Sequence, residues 1–301
     1  MKQLTILDGG MGRELQEIGA PFSQPLWSAQ ALMEAPQFVH KAHQHFIDAG
    51  AEIITTNSYA CVPFHLGQDL YEKKGAELAT KAAKIARQCA DENSHRVLVA
   101  GSIPPPLGSY RSDLFIEQTA LPILDTLIQA QAPYVDIWIV ETLCSVHEFK
   151  VTQERLSNTN KPCYYAFSLA DDIQRPASLR SGETVEALVD LLIESNAKGV
   201  MFNCSIPEVM EAALVALQPA LKAKGNDFEL GIYANNFSPI DSEHEANDTL
   251  QSTRELSPQD YVKFAKRWHE LGATIIGGCC GIGPKHIQAL SEWKQAMNGY
   301  T

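Results

Sequence analysis

Residues 135–156 read VDIWIVETLCSVHEFKVTQERL. The first nine form an apolar, β-rich run, and the stretch from Val146 onward carries helical apolar spacing. A strand, a tight turn and a helix in so short a span is half of a βαβ unit. The same order recurs in both directions. Strands are predicted at 4–7, 53–59, 97–103, 135–143, 163–169, 199–203, 230–234 and 274–277, and helices at 35–49, 71–91, 114–130, 146–156, 184–195, 207–223, 258–271 and 284–297. Pro207, Pro258 and Pro284 stand where a first helical turn tolerates proline. Strict alternation predicts parallel strands joined by right-handed crossovers. Eight repeats predict a closed α/β (β/α)8 TIM barrel, a single domain over residues 1–301, with an open doubly wound sheet as the alternative.

The composition agrees with a globular enzyme-sized chain. Of 301 residues, 45% are hydrophobic and 20% charged, with 19 glycines and 16 prolines. That is ordinary globular usage and excludes collagen-like and disordered chains. The net charge of −12 repels phosphate backbones, so nucleic acid is not an expected partner. No apolar run approaches the ~18 residues of a membrane span. The opening MKQLTILDGG lacks the pattern of a signal peptide, so a cytoplasmic location is expected. The odd count of seven cysteines argues against a disulfide framework.

A barrel concentrates chemistry just past its strand ends. Asp8 follows the first strand and precedes Gly9-Gly10; Thr55-Thr56-Asn57 fall at the end of the second. Glu141 ends the apolar part of the fourth, Asn203-Cys204 the sixth, and Gly277-Gly278-Cys279-Cys280-Gly281 the eighth. Adjacent residues in a strand point to opposite faces. Cys279 and Cys280 therefore share one metal only where the backbone leaves strand geometry, which the flanking glycines permit. Cys204 can converge on them from two strands away. Three thiolates with one open position is a zinc pattern, and soft ligands favour zinc over magnesium or calcium. The alternative is inert packing, which is the reading for Cys61, Cys89, Cys144 and Cys163. Spacing alone leaves the Cys279-Cys280 pair open between the two, and leaves Asp8 and Glu141 open between function and capping. His40, His43 and His45 read as the solvated face of an outer helix. Long connections at 9–33 and 235–256 face the same barrel end; the second carries Asp241, Glu243, Glu245, Asp248 and Glu255.

The motifs together resemble the zinc-dependent homocysteine S-methyltransferases. They are LDGGMGREL at 7–15, PLWSAQALMEAP at 25–36, AGAEIITTNSY at 49–59, ETL at 141–143, FNCS at 202–205 and GGCCGIGPKHI at 277–287. The resemblance runs nearly end to end and implies a (β/α)8 barrel in which Cys204, Cys279 and Cys280 hold Zn²⁺. It implies that Asp8 and Glu141 hold the amino group of homocysteine, that backbone amides near Gly9 and Thr56 meet its carboxylate, and that Trp27 lines the donor side. The implied reaction is methyl transfer from a sulfonium donor, S-methylmethionine favoured, to the homocysteine thiol, giving methionine.

A free thiol is mostly protonated at neutral pH, and metal binding removes that proton. Methyl transfer from an onium donor neutralises charge, which a water-poor pocket favours. The chain departs from the family at 233–237, Tyr-Ala-Asn-Asn-Phe in place of a Pro-Asn-Ala-Gly type sequence, and at 101–106. Both segments face the donor's side of the mouth. Alternatives with the same residues are transfer to a different thiol or selenol, or a zinc- and thiol-binding barrel without turnover. A metal-free barrel aldolase lacks a Schiff-base lysine at an evident strand end.

Overall fold

The run at 135–143 becomes β4 (Ile137–Leu143), buried along its whole length. It pairs in parallel with β3 (Leu98–Ile103) on one side and β5 (Cys163–Phe167) on the other. Only a central parallel strand buries both faces and both edges, which is why the run is apolar throughout. A computed structural model describes residues 3–239 and 253–299. The remaining strands are β1 (Thr5–Ile6), β2 (Ile53–Thr55), β6 (Ala197–Asn203), β7 (Glu229–Ala234) and β8 (Ala273–Gly278). The sheet order is β1-β8-β7-β6-β5-β4-β3-β2, all parallel. β1 and β2 close it. Leu7 bridges Ile53, Asp8 N–H donates to Ile53 O at 3.0 Å, and Glu52 N–H donates to Ile6 O at 2.8 Å. The closed barrel is the fold expected, and no edge remains for another chain to pair with.

The helices that follow each strand form the outer layer. The helix Val146–Arg155 starts where the sequence dictates: Ser145 Oγ accepts from Glu148 N–H at 3.1 Å, and Glu148 Oε2 accepts from Cys144 N–H at 2.6 Å. This reciprocal arrangement is a capping box shifted by one donor. Strand parity then sorts the side chains. In β4, Ile137 and Ile139 point into the barrel while Trp138 and Val140 pack against the helices. The same alternation turns Ile53, Ala100, Met201, Tyr233 and Ile275 inward. Carried one step toward the C-terminal ends, inward parity delivers Thr55, Ser102, Glu141, Asn203 and Cys279 to one mouth.

Several boundaries differ from those expected. β2 stops at Thr55 because the chain turns there: Ser58 N–H donates to Thr56 O at 2.8 Å. The 184–195 stretch is a 3₁₀ turn, Val185–Leu188, running into a short helix, Val189–Glu194. The first long connection contains two helices, Met11–Glu17 and Ser28–Glu34. His43 is fully buried on the helix Pro36–Asp48, not solvated, while His40 pairs with Glu92 at 2.8 Å and His45 with Glu14 at 2.6 Å. Of the acidic loop, Asp241, Glu243, Glu245 and Asp248 lie outside the described residues. Among the described residues no helix is long and apolar enough to cross a membrane.

Candidate metal and substrate site

The mouth encloses a pocket of about 890 Å³, counting its solvent-open side. Its walls come from seven strand ends and the first connection, and include Asp8, Gly9, Trp27, Thr56, Glu141, Cys204, Cys279 and Cys280. The residues that the resemblance assigned to metal and substrate thus line one cavity.

Two of them form a carboxylate pair. Asp8 is buried and accepts from the Thr55 backbone N–H at 2.7 Å and from the Thr55 hydroxyl at 3.1 Å. Burial nevertheless pushes its carboxyl well above the usual range, and the nearby Glu141 charge adds to the rise. Glu141 accepts only the Ser102 hydroxyl, at 3.2 Å, and burial raises its pKa to about 7. Two desolvated carboxyls this close ionise together only around a cation. Such a pair has the chemistry to accept a small ammonium group.

The sulfurs converge from β6 and β8. Cys204 follows β6 with φ 47°, a left-handed conformation that a non-glycine residue holds only when its surroundings compel it. They do so from three directions. Cys204 N–H donates to Tyr233 O at 3.3 Å, while its carbonyl accepts from Arg180 Nη2 and Ser168 Oγ, each at 3.3 Å. Asn203 ties this turn to β4, accepting from Thr142 N–H and donating to Thr142 Oγ1, both at 3.0 Å. Thr142 itself has φ 59°. Cys279 keeps one ladder bond, N–H to Ala234 O at 2.8 Å, before the chain leaves strand geometry through Cys280 and Gly281, whose φ is 79°. The sequence constraint on two adjacent cysteines is met in this way. Gly10 lies beneath them, where a Cβ would stand 2.6 Å from Cys279 O.

The three Sγ atoms lie within 4.8 Å of one another. Cys279 and Cys280 sulfurs are 4.0 Å apart, and Cys204 and Cys279 are paired as a disulfide with Cα atoms 5.8 Å apart. A tetrahedral zinc with bonds of about 2.3 Å sets sulfurs roughly 3.8 Å apart. Sulfurs gathered within 4.8 Å are, once reduced, close enough to share one such ion. Burial raises the Cys280 thiol to about 11, opposed chiefly by the Arg13 charge. The other four cysteines are fully buried and face no pocket wall. Burial lifts Cys61 and Cys89 to about 12 and Cys163 to about 11, as packing residues require.

Thr56 lines the wall with Thr55 and Asn57. Its own backbone N–H donates to Ala100 O at 2.9 Å, and its hydroxyl donates to Gln131 Oε1 at 2.6 Å. Gly9 and Trp27 lie in the lining as expected. Ser102, Tyr233 and Phe237 lie in the two segments, 101–106 and 233–237, expected at the mouth, and all three line it. Not singled out in the sequence were Arg13, Tyr59 and Tyr110, in the same wall. Tyr233 is 3% exposed, and its hydroxyl has no partner.

Behind Cys204 sits a buried ion pair. Arg180 Nη2 meets Asp171 Oδ2 at 3.2 Å, with side chains only 4% and 1% exposed, and the guanidinium lies 4.4 Å over the Tyr110 ring. Removing one partner of such a pair leaves an uncompensated buried charge, at about 3–5 kcal/mol. Arg180→Met is therefore expected to cost about 3 kcal/mol of stability in urea denaturation. An unchanged midpoint would show that the pair does not hold this loop.

The sequence profile of the homocysteine S-methyltransferase family matches residues 5–293. Homocysteine S-methyltransferase 1 of Brassica oleracea var. italica is 28% identical, the match covering 96% of this chain and 92% of that protein. The homocysteine methyltransferase MmuM from Escherichia coli has been solved in a metallated form, TM-score 0.76 at 26% identity, covering 97% of this chain and 96% of that one. Its oxidized form gives a TM-score of 0.75 at 28% identity, covering 97% of each chain. The chain belongs to the homocysteine S-methyltransferase family and is a methyltransferase.

Proposed function

We propose that this protein transfers a methyl group from a sulfonium donor, S-methylmethionine in the first instance, to the thiol of homocysteine, giving methionine, with Zn²⁺ held by Cys204, Cys279 and Cys280. The observation that carries the proposal is the meeting, in one pocket, of three cysteine sulfurs and a buried carboxylate pair. The functional unit is the whole chain, 1–301, as one barrel. A trithiolate site needs reduced sulfurs, which a cytoplasmic setting maintains.

Zinc, when bound, supplies the Lewis acidity that keeps a substrate thiol ionised at neutral pH. The protein's part is alignment. Asp8 and Glu141 accept the ammonium hydrogens of the amino acid, and their own ionisation is restored by that cation. Gly9 adds backbone surface beside Asp8, and Trp27 closes the opposite wall. In the transfer, the substrate sulfur forms a bond to the methyl carbon as the donor's carbon–sulfur bond breaks. The electron pair stays with the leaving sulfur, which departs as a neutral thioether. Formal charges on nucleophile and donor cancel, so the aromatic, water-poor walls favour the transition state over the separated ions.

The test is methionine formation followed by mass spectrometry, with reduced, zinc-loaded protein, homocysteine and one donor at a time. S-Methylmethionine is expected to give two equivalents of methionine per homocysteine consumed, one methylated from homocysteine and one left by the demethylated donor. Metal-loaded protein that yields no methionine from any sulfonium or quaternary ammonium donor would overturn the proposal.

A further inference from the structure

Arg13 is a cation at the rim of the pocket with no counterion among the described residues. It stands on the helix Met11–Glu17, directly after Asp8-Gly9-Gly10, and lines the cavity with Trp27, Cys279 and Cys280. Its Nε is enclosed and has no hydrogen-bond partner. One terminal nitrogen reaches Gln16 Oε1 at 3.5 Å, the outer limit of a hydrogen bond. Among the described residues no carboxylate pairs with it. The Trp27 indole packs on the backbone of Gly12, the residue before it, so the guanidinium and an aromatic face share one wall.

The pocket therefore has two poles. The carboxylates of Asp8 and Glu141 stand at the ends of β1 and within β4 and suit an ammonium. The guanidinium stands on the first connection, on the sulfur side, and suits an anion. A methyl donor must be positive at the atom that carries the methyl group. Arg13 would repel a donor that is only a cation. It would grip a zwitterion whose carboxylate lies a few bonds from the onium centre, because the guanidinium fork matches a carboxylate bidentately. The thiolate cluster then attracts the onium end while Arg13 holds the other, which aims the methyl group at the sulfurs.

The geometry points to Arg13 as the residue that selects a methyl donor bearing a carboxylate. This rests on the methyl-transfer reading above. Charge-assisted hydrogen bonds of this kind are worth about 10- to 100-fold in affinity.

The experiment compares wild type, Arg13→Met and Arg13→Lys with two donors, S-methylmethionine and the carboxylate-free trimethylsulfonium ion. Arg13→Met is expected to raise KM for S-methylmethionine about 10- to 100-fold. KM for homocysteine should stay within about twofold, and kcat/KM for trimethylsulfonium should not fall. Arg13→Lys should recover part of the loss, since it keeps the charge but not the fork. Equal losses with both donors would overturn the inference, as would a rise confined to homocysteine. Calorimetric titration of S-methylmethionine into the zinc-loaded proteins separates this from the reaction itself. If wild type makes no methionine, the proposed function fails, yet equal binding by wild type and Arg13→Met would be needed to reject the Arg13 contact.

Discussion

Cys279→Ser is expected to abolish methyl transfer, by more than about a thousandfold, and to lower zinc affinity by about a hundredfold or more. Zinc binding to thiolate and imidazole sites is worth about 10–16 kcal/mol. One of three protein sulfurs then carries on the order of 3 kcal/mol. Serine is nearly isosteric but is not ionised at neutral pH, and its hard oxygen is a poor substitute for a soft thiolate. The fold should survive, because Cys279 is held by its backbone N–H to Ala234 O and serine keeps that bond. The informative control is Cys144→Ser. Cys144 packs in the same small cluster as Cys204, Tyr110 and Phe237 but is fully buried and donates its thiol to Thr142 O at 3.3 Å. Cys144→Ser should keep one equivalent of zinc and retain turnover. Metal analysis after dialysis against a weak chelator, alongside the methionine assay, reads both. Zinc retained with full activity in Cys279→Ser would remove it from the site.

How the site assembles explains which residues were visible beforehand. The barrel follows from repetition alone: a run such as 137–143 is apolar on both faces, and eight such runs alternate with helices. Asp8, Glu141, Cys204, Cys279 and Cys280 were visible because each interrupts an apolar strand at its C-terminal end. Tyr233 was legible through its segment, and parity with Gly231 and pairing with Gly277 place its side chain inward. Arg13 was hidden because the first connection has no strand periodicity from which to read direction. The role of Asn203 depends on Thr142, sixty-one positions away in sequence, and no local pattern encodes such a pairing. That the Thr56 N–H is spent on β3 is likewise shown only by the register of β2 against β3.

Glu141→Gln is expected to stabilise the protein at pH 8 while weakening homocysteine binding about 10- to 100-fold. The two effects share one cause. Burial raises the Glu141 pKa from an ordinary 4.5 to about 7, so the folded state binds the proton more tightly than the unfolded chain. Stability therefore falls as pH rises from about 4.5 to about 7, and above that the full cost is carried, about 3 kcal/mol. Glutamine is uncharged at every pH and can still accept the Ser102 hydroxyl, so it removes that cost at pH 8 and changes little at pH 4.5. Binding moves the opposite way. An ammonium needs the ionised carboxylate, so wild-type KM for homocysteine should rise as pH falls below about 7, whereas KM for Glu141→Gln should be high and nearly flat across that range. Thermal unfolding at pH 4.5 and pH 8, with KM measured between pH 6 and pH 8, decides the matter. A lower melting temperature for Glu141→Gln at pH 8, or an unchanged KM, would mean that Glu141 is a structural carboxylate and that the ammonium is held elsewhere. The wild-type protein keeps an unfavourable charge in its barrel mouth because that charge is neutralised only when substrate arrives, and the cost of burying it sharpens the preference for a cation.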